Sequence, residues 1–133
     1  MSPMLRATVL AGLVMIVTAC ASERFTIAQQ REQFAHYAGP PLERFTYLGH
    51  YQGWRPLGDD LVVVWTTIHD TYLLTIEQPC VDLQFESGLR LTSSSRTVTQ
   101  GVDAVLVGHQ HCRVIQIRHV DYGQMRKDLH LMP

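Results

Sequence analysis

The stretch Leu61-Val62-Val63-Val64-Trp65-Thr66-Thr67-Ile68-His69-Asp70-Thr71-Tyr72-Leu73-Leu74-Thr75-Ile76 decides the fold class. Its first seven residues are rich in β-branched and aromatic side chains, which predicts a strand that can be buried on both faces. Residues 68–70 predict a turn, and residues 71–76 predict a second strand that pairs back on the first as a hairpin. We therefore expect an antiparallel sheet at the centre of the domain.

A short helix is predicted upstream of this hairpin, from about residue 27 to residue 38. Thr26 and Gln29 have the spacing of a capping box, in which the two side chains satisfy backbone N–H groups at the helix start. Gly39-Pro40-Pro41 ends the helix, because glycine accepts the left-handed cap and proline cannot continue the hydrogen bonding.

The remaining strands are predicted before and after the hairpin in the sequence. The clearest runs from Cys112 to Val120, with Ile115 and Ile117 on one face. Shorter strands are predicted at 45–51, 89–92, 97–99 and 104–107, and a helical turn at 81–85. The fold class is thus α+β and mainly β: one N-terminal helix packed on a small antiparallel sheet or half-barrel of five to seven strands.

The segment before Cys20 has the features of a lipoprotein signal peptide. Arg6 gives it a basic start, and an uncharged apolar run follows at 7–17. As a helix this run would be about 17 Å long, at about 1.5 Å per residue. It is too short to cross a bilayer core, which is about 30 Å thick. Val17-Thr18-Ala19-Cys20 follows and resembles the bacterial lipobox. We expect cleavage before Cys20 and lipid on its thiol; an ordinary secretory signal cut nearby is the alternative.

The expected organisation is a signal peptide at 1–19, a lipidated tether at 20–25, one globular domain at 26–121 and a tail at 122–133. Removing the first 19 of 133 residues leaves 114, the size of one ordinary domain. In the tail, Met125, Leu129 and Met132 have helical spacing. A helix and a disordered tail both remain open for this segment.

Charge argues against a nucleic-acid partner and against electrostatic attachment to lipid. One of the 11 Lys and Arg residues, Arg6, lies in the signal peptide, so the mature chain carries ten against 12 Asp and Glu. This balance offers no basic surface for phosphates. It also lacks the basic cluster that would bind anionic lipid without an anchor, so membrane attachment is expected through Cys20.

Several segments resemble an uncharacterised family of short, exported bacterial proteins that carry two cysteines at corresponding places. They are Gly53–Leu57, Leu61–Thr66, Tyr72–Leu74 with Cys80, Asp103–Val105 and, most specific of all, Cys112-Arg113-Val114-Ile115-Gln116-Ile117-Arg118. The resemblance spans roughly residues 43–121 and implies no activity. With Cys20 taken by lipid, Cys80 and Cys112 are the pair that remains, and an exported protein can oxidise them to a disulfide.

Histidines supply the competing functional hypothesis. His109 and His111 are two residues apart, so on one strand they would face the same side and could share a metal or serve a small hydrolase. A zinc site needs three or four ligands, however, and no third ligand is indicated; surface histidines are the plainer interpretation. Ser93-Ser94-Ser95, His69 and Asp70 occur without a nucleophile-elbow motif.

The two tryptophans are interpreted as part of the core or its edge rather than as a binding platform. We expect no catalytic residue, no metal and no cofactor. The favoured function is a non-catalytic binding or structural module, anchored at the periplasmic face of a membrane. Ala21, in place of an aspartate that often signals inner-membrane retention, favours the outer membrane. The partner is expected to be an envelope protein or a glycan.

Overall fold

A computed structural model describes residues 25–93 and 95–131. Two short helices and nine strands follow one another in these ranges, with one turn of 3-10 helix at Val81–Gln84. They are α1 (Ile27–Tyr37), β1 (Ala38–Leu42), β2 (Arg44–Thr46), β3 (Gly53–Pro56), β4 (Leu61–Trp65), β5 (Thr71–Ile76), β6 (Arg90–Leu91), β7 (Thr97–Thr99), β8 (Ala104–Val107), β9 (Gln110–Val120) and α2 (Tyr122–Asp128). No helix within the described ranges is both long and apolar enough to cross a membrane.

The mainly β fold class is confirmed, with a curled antiparallel half-barrel as the principal sheet. Its strands run in the order β3-β4-β5-β9-β8-β6, and β1 pairs with the second half of β9 as the seventh strand. A separate two-stranded ribbon, β2 with β7, brings the facing pair Phe45 and Val98 over the hollow side of the sheet, where both are buried. The expected hairpin of β4 and β5 lies at the centre, as predicted.

Strand β4 is buried on both faces, which confirms the interpretation of its β-branched run. Val62 and Val64 point into the main core, inside the half-barrel. Leu61 and Val63 point to the opposite face, where a smaller core lies under the two helices. Because successive side chains of a strand alternate between faces, a continuous apolar run is required when both faces carry a core.

The prediction that Ile115 and Ile117 share one face of β9 is wrong. Ile76 of β5 pairs with Val114 and Thr75 pairs with Gln116, so Ile115 is an extra residue in a β-bulge. A bulge shifts the alternation of side chains by one residue. Ile117 is consequently buried in the main core, whereas Ile115 is 45% exposed.

Helix α1 begins and ends close to where the sequence predicts. The Thr26 hydroxyl accepts from the Gln29 N–H at 3.2 Å, and the Gln29 side chain accepts from the Thr26 N–H at 2.8 Å, so the capping box is formed. After Tyr37 the chain continues directly into β1, which contains the two prolines. An edge position suits them, since proline cannot donate to a neighbouring strand.

Arg118 secures the other end of α1 to the sheet. Its guanidinium donates to three backbone carbonyls: Gly39 at 2.8 Å, Ala38 at 2.9 Å and Ala35 at 3.3 Å. The last carbonyls of a helix have no partner within it and carry partial negative charge. The last arginine of the segment that resembles the uncharacterised family therefore serves a structural role.

The segment after residue 121 begins with a helix, the first of the two alternatives that the sequence leaves open. The Asp121 side chain caps α2 by accepting from the Gln124 N–H at 3.0 Å. Met125 is buried in the helix-side core together with Phe34 and Val120. Packed structure thus continues beyond the expected domain end at 121, because this core needs α2 as one of its walls.

An ion pair attaches α1 to the turn before β4. The Arg31 guanidinium contacts Asp60 with both of its terminal nitrogens, at 2.6 and 3.2 Å, and donates to the Leu57 carbonyl at 2.6 Å. The hydrogen bond from Arg31 holds the pKa of Asp60 below its ordinary value. The stability that the pair contributes is therefore present above the ordinary carboxyl pKa and is lost as the pH falls through the lowered pKa.

We expect Asp60→Asn to destabilise the protein at pH 7 by at most about 1 kcal/mol, because the pair is partly exposed to solvent. The difference from the native protein should shrink as the pH falls below about 4, where carboxyl groups become protonated. Urea unfolding at both pH values measures this. Asp59→Asn removes the neighbouring carboxyl and is the control; an equal loss in that variant would contradict the assignment to Asp60.

Candidate functional site

Cys80 and Cys112 form a disulfide that joins the 3-10 turn to the beginning of β9. Their Cα atoms lie 5.9 Å apart, and the two residues are separated by 32 positions in the sequence. Both are buried in the main core, with exposures of 0% and 3%. Thiol–disulfide exchange requires access of an attacking thiolate to sulfur, so this environment favours a structural bond over a redox-active one.

The two histidines of the competing hypothesis do not share a strand face. His109 lies in the turn between β8 and β9, whereas His111 lies on β9 opposite Leu106; both are exposed. Across residues 25–93 and 95–131, no group of three or more His, Cys, Asp and Glu side chains is placed to hold a metal ion. His119 packs edge-on against Tyr72 and lies 3.6 Å from the Asp70 carboxylate.

Asp70, one of the residues considered for hydrolysis, and Asp103 both stabilise turns. The Asp70 carboxylate accepts from the Thr67 hydroxyl at 3.1 Å in the turn between β4 and β5. The Asp103 carboxylate accepts from the Thr99 N–H at 2.7 Å and from the Thr92 hydroxyl at 3.0 Å. Ser94 lies outside the described residues, as does Cys20, the expected lipidation site.

Both tryptophans belong to the edges of the cores, as predicted. Trp54 packs against the main core and Trp65 against the helix-side core. The Trp65 ring lies edge-on to Phe34 and to Tyr122, with centroids 6.2 and 5.5 Å apart. The Arg55 guanidinium lies over the Trp65 ring, 5.4 Å from its centroid. Phe34, Trp65 and Tyr122 together form an aromatic cluster under the helices, on the helix side of the sheet.

An open groove runs beside this aromatic cluster, between α1, α2 and β3. It has a volume of about 410 Å³. Ligand sites typically have volumes of about 300–1,000 Å³, so the groove lies within that range. Its lining is largely apolar and includes Phe25, Ile27, Phe34, Tyr122, Met125 and Leu131. Three polar side chains complete the lining, namely Gln30, Gln33 and Arg55. This is the strongest candidate for a binding site in the part of the chain that the structure describes.

A second, shallower depression adjoins the groove at Leu131, and its other lining residues are Arg126, Lys127 and His130. The Arg126 guanidinium lies 5.7 Å from the centroid of the Tyr122 ring. Among the described residues, no carboxylate lines either depression. The groove and its neighbour thus combine an apolar surface with fixed positive charge.

A side-chain hydrogen bond joins the two helices, and a second one lies within α2. The Tyr37 hydroxyl donates to the Asp128 carboxylate at 2.7 Å, and the Gln124 amide donates to the same carboxylate at 2.7 Å. These hydrogen bonds lower the pKa of Asp128, and the bond to Asp128 raises the pKa of Tyr37. The carboxylate is engaged with α1 and with its own helix.

Sequence reasoning missed this groove. Its walls come from residues 25–34, 55–56 and 122–131, which are far apart along the chain. The helical spacing of Met125 and Leu129 was the one available signal, and by itself it does not reveal which surface the helix faces.

Together these features define a small disulfide-bonded domain, mainly β, in which a half-barrel sheet carries two short helices beside an open groove. The chain belongs to a family of unknown function, DUF6491, which matches residues 3–130. Searches of curated proteins and of solved structures found no match. The expected membership of an uncharacterised family is thereby confirmed.

Proposed function

We propose that this protein is a cell-envelope lipoprotein, anchored through Cys20, that acts as a non-catalytic binding or structural module. The observation that carries the proposal is the position of Cys20 at the end of an apolar leader, directly after Val17-Thr18-Ala19. With cleavage before Cys20, α1 becomes the N-terminal helix of the mature protein. Three acyl chains on one cysteine would make the anchor effectively permanent, since each buried CH₂ contributes about 0.8 kcal/mol.

The disulfide supports export. Disulfides persist in the periplasm and are rare in the reducing cytosol. Two of the three cysteines in the sequence, Cys80 and Cys112, bond to each other. The third cysteine, Cys20, is the one in the predicted lipobox.

The groove supports binding over catalysis. Its polar groups are two amides, one guanidinium and the Tyr122 phenol. The amides and the guanidinium can orient a ligand but cannot serve as nucleophile or general base, and no His, Cys, Ser, Asp or Glu is among the described lining residues that could activate the phenol. Its apolar walls favour contact with a hydrophobic surface. We place the module at the periplasmic face of the outer membrane because of Ala21, and an envelope protein or a glycan is the proposed class of partner.

The test of this function is Cys20→Ser in cells that are fed a radioactive fatty acid. The variant should take up no label and should accumulate with its leader attached, because the acyl acceptor is gone. Ser22→Ala, two residues further on, is the control and should be labelled like the native chain. Equal labelling of native protein and Cys20→Ser would refute the lipid anchor.

A further inference from the structure

The geometry points to the face formed by α1 and α2 as the side of the protein that lies on the membrane, with bilayer lipid as the occupant of the groove. Acyl chains would contact the apolar walls, and Arg126 and Lys127 would face the phosphates of anionic headgroups. This inference rests on the proposed anchor at Cys20.

The groove lies close in sequence to the proposed anchor. Phe25 is the first described residue and lines the groove itself. Five residue steps separate Cys20 from Phe25, and they span at most about 18 Å when fully extended. A lipid on Cys20 would therefore hold Phe25, at the groove, within about 18 Å of the lipidated residue.

The surface at this end is chemically suited to the membrane interface. Ile27, on the first turn of α1, is 47% exposed at the mouth of the groove. Amphipathic surfaces that lie on membranes insert apolar side chains between headgroups while cationic side chains remain at phosphate level. The Arg126 guanidinium lies over the Tyr122 ring and also lines the second depression, together with Lys127. This arrangement of an aromatic ring beside cationic groups fits that description.

Charge distinguishes this face from the far end of the molecule. Asp128 accepts from Tyr37 and Asp121 caps α2, and neither carboxylate lines the groove or the depression beside it. At the far end, the turn after Cys80 exposes Phe85 close in sequence to two acidic residues, Asp82 and Glu86. Anionic headgroups would be attracted locally by Arg126 and Lys127 at the first end and repelled by the carboxylates beside Phe85 at the second.

Phe85 therefore offers a matched control for Ile27. It is the more exposed apolar residue, at 84%. In its turn, the backbone N–H of Asp82 donates to the side-chain carbonyl of Gln110, at the beginning of β9. Tyr122, at the groove, lies just beyond the other end of that strand. The two test positions thus lie near opposite ends of a strand that spans roughly 30 Å.

The experiment uses the full lipidated chain, reconstituted in vesicles of phosphatidylethanolamine with about one phosphatidylglycerol in every three lipids. A photoreactive benzophenone amino acid replaces Ile27 in one protein and Phe85 in another. After irradiation, mass spectrometry should find phospholipid adducts at position 27 at least about fivefold more often than at position 85. Arg126→Gln combined with Lys127→Gln should reduce the share of phosphatidylglycerol among the adducts about twofold or more.

Flotation of the vesicles separates failure of this inference from failure of the anchor. A chain that does not float with the vesicles contradicts both proposals. A chain that floats but gives equal adducts at the two positions overturns this inference alone. This inference is also overturned if position 27 reacts with a second copy or another protein instead of lipid.

Discussion

Replacing both Cys80 and Cys112 with alanine is expected to lower the melting temperature by about 14 °C or more. The disulfide joins residues 32 positions apart. For a loop of that size the chain-entropy account gives about 3.5 kcal/mol of stability. In a domain of about 100 residues, each kcal/mol shifts the melting temperature by about 4 °C or more. That contribution is large beside a typical total stability of about 5–15 kcal/mol.

Near-ultraviolet circular dichroism of the detergent-extracted chain measures this shift. Reduction of the native protein with a strong thiol reagent should reproduce it. Val81, beside Cys80, is exposed to solvent, so Val81→Ala should leave the midpoint almost unchanged. Alkylation under denaturing conditions should modify neither Cys80 nor Cys112 until reductant is added. Modification of both without reductant would show that the bond is not formed in the cell.

Phe34→Ala is expected to destabilise the protein by about 3–5 kcal/mol, the usual cost of emptying a buried phenylalanine site. Phe34 is 1% exposed and is the buried side chain that α1 contributes to the helix-side core. Its ring also lies parallel to the Tyr122 ring, with centroids 6.1 Å apart, so it connects α1 to α2. Removing it should loosen both helices from the sheet.

The matched substitution is Phe85→Ala, which removes the same side chain from a site that is 84% exposed. Changes at such surface positions usually remain within about 0.5 kcal/mol. Urea unfolding of the two variants and the native chain gives the comparison. Equal losses of stability in the two variants would mean that α1 does not pack on the sheet as described.

The central hairpin and the first helix could be predicted because their signals are local. The run from Leu61 to Trp65 alternates between two cores, and its composition alone indicates burial on both faces. The capping box at Thr26 involves side chains only three residues apart. The disulfide could also be predicted, because the expected lipidation of Cys20 leaves two of the three cysteines to pair.

Other features depend on partners that are distant in sequence. The bulge at Ile115 exists because β5 and β9 pair with one residue in excess, and alternation of residue types cannot reveal that. The strand expected at 45–51 ends at Thr46, where the pairing of β2 with β7 stops. Beyond it, Leu48 is 76% exposed, because the chain has left the ribbon there.

The groove could not be predicted from the sequence, for the same reason. Its walls are assembled by α1, β3 and α2, and α2 lies in a segment whose sequence left helix and disorder equally open. The buried side chain of Met125 fixes that helix on the sheet. Binding surfaces formed between elements, rather than within one, have no periodic signature in a sequence.

The measurement that tests the lipoprotein proposal most directly is mass spectrometry of the N-terminal peptide of the native chain, extracted from cell membranes. We expect a peptide that begins at Cys20, is cut after Ala19 and carries a diacylglyceryl group on sulfur together with an acyl group on the new amino terminus. A mature chain that begins at another residue, or a Cys20 without lipid, would contradict it.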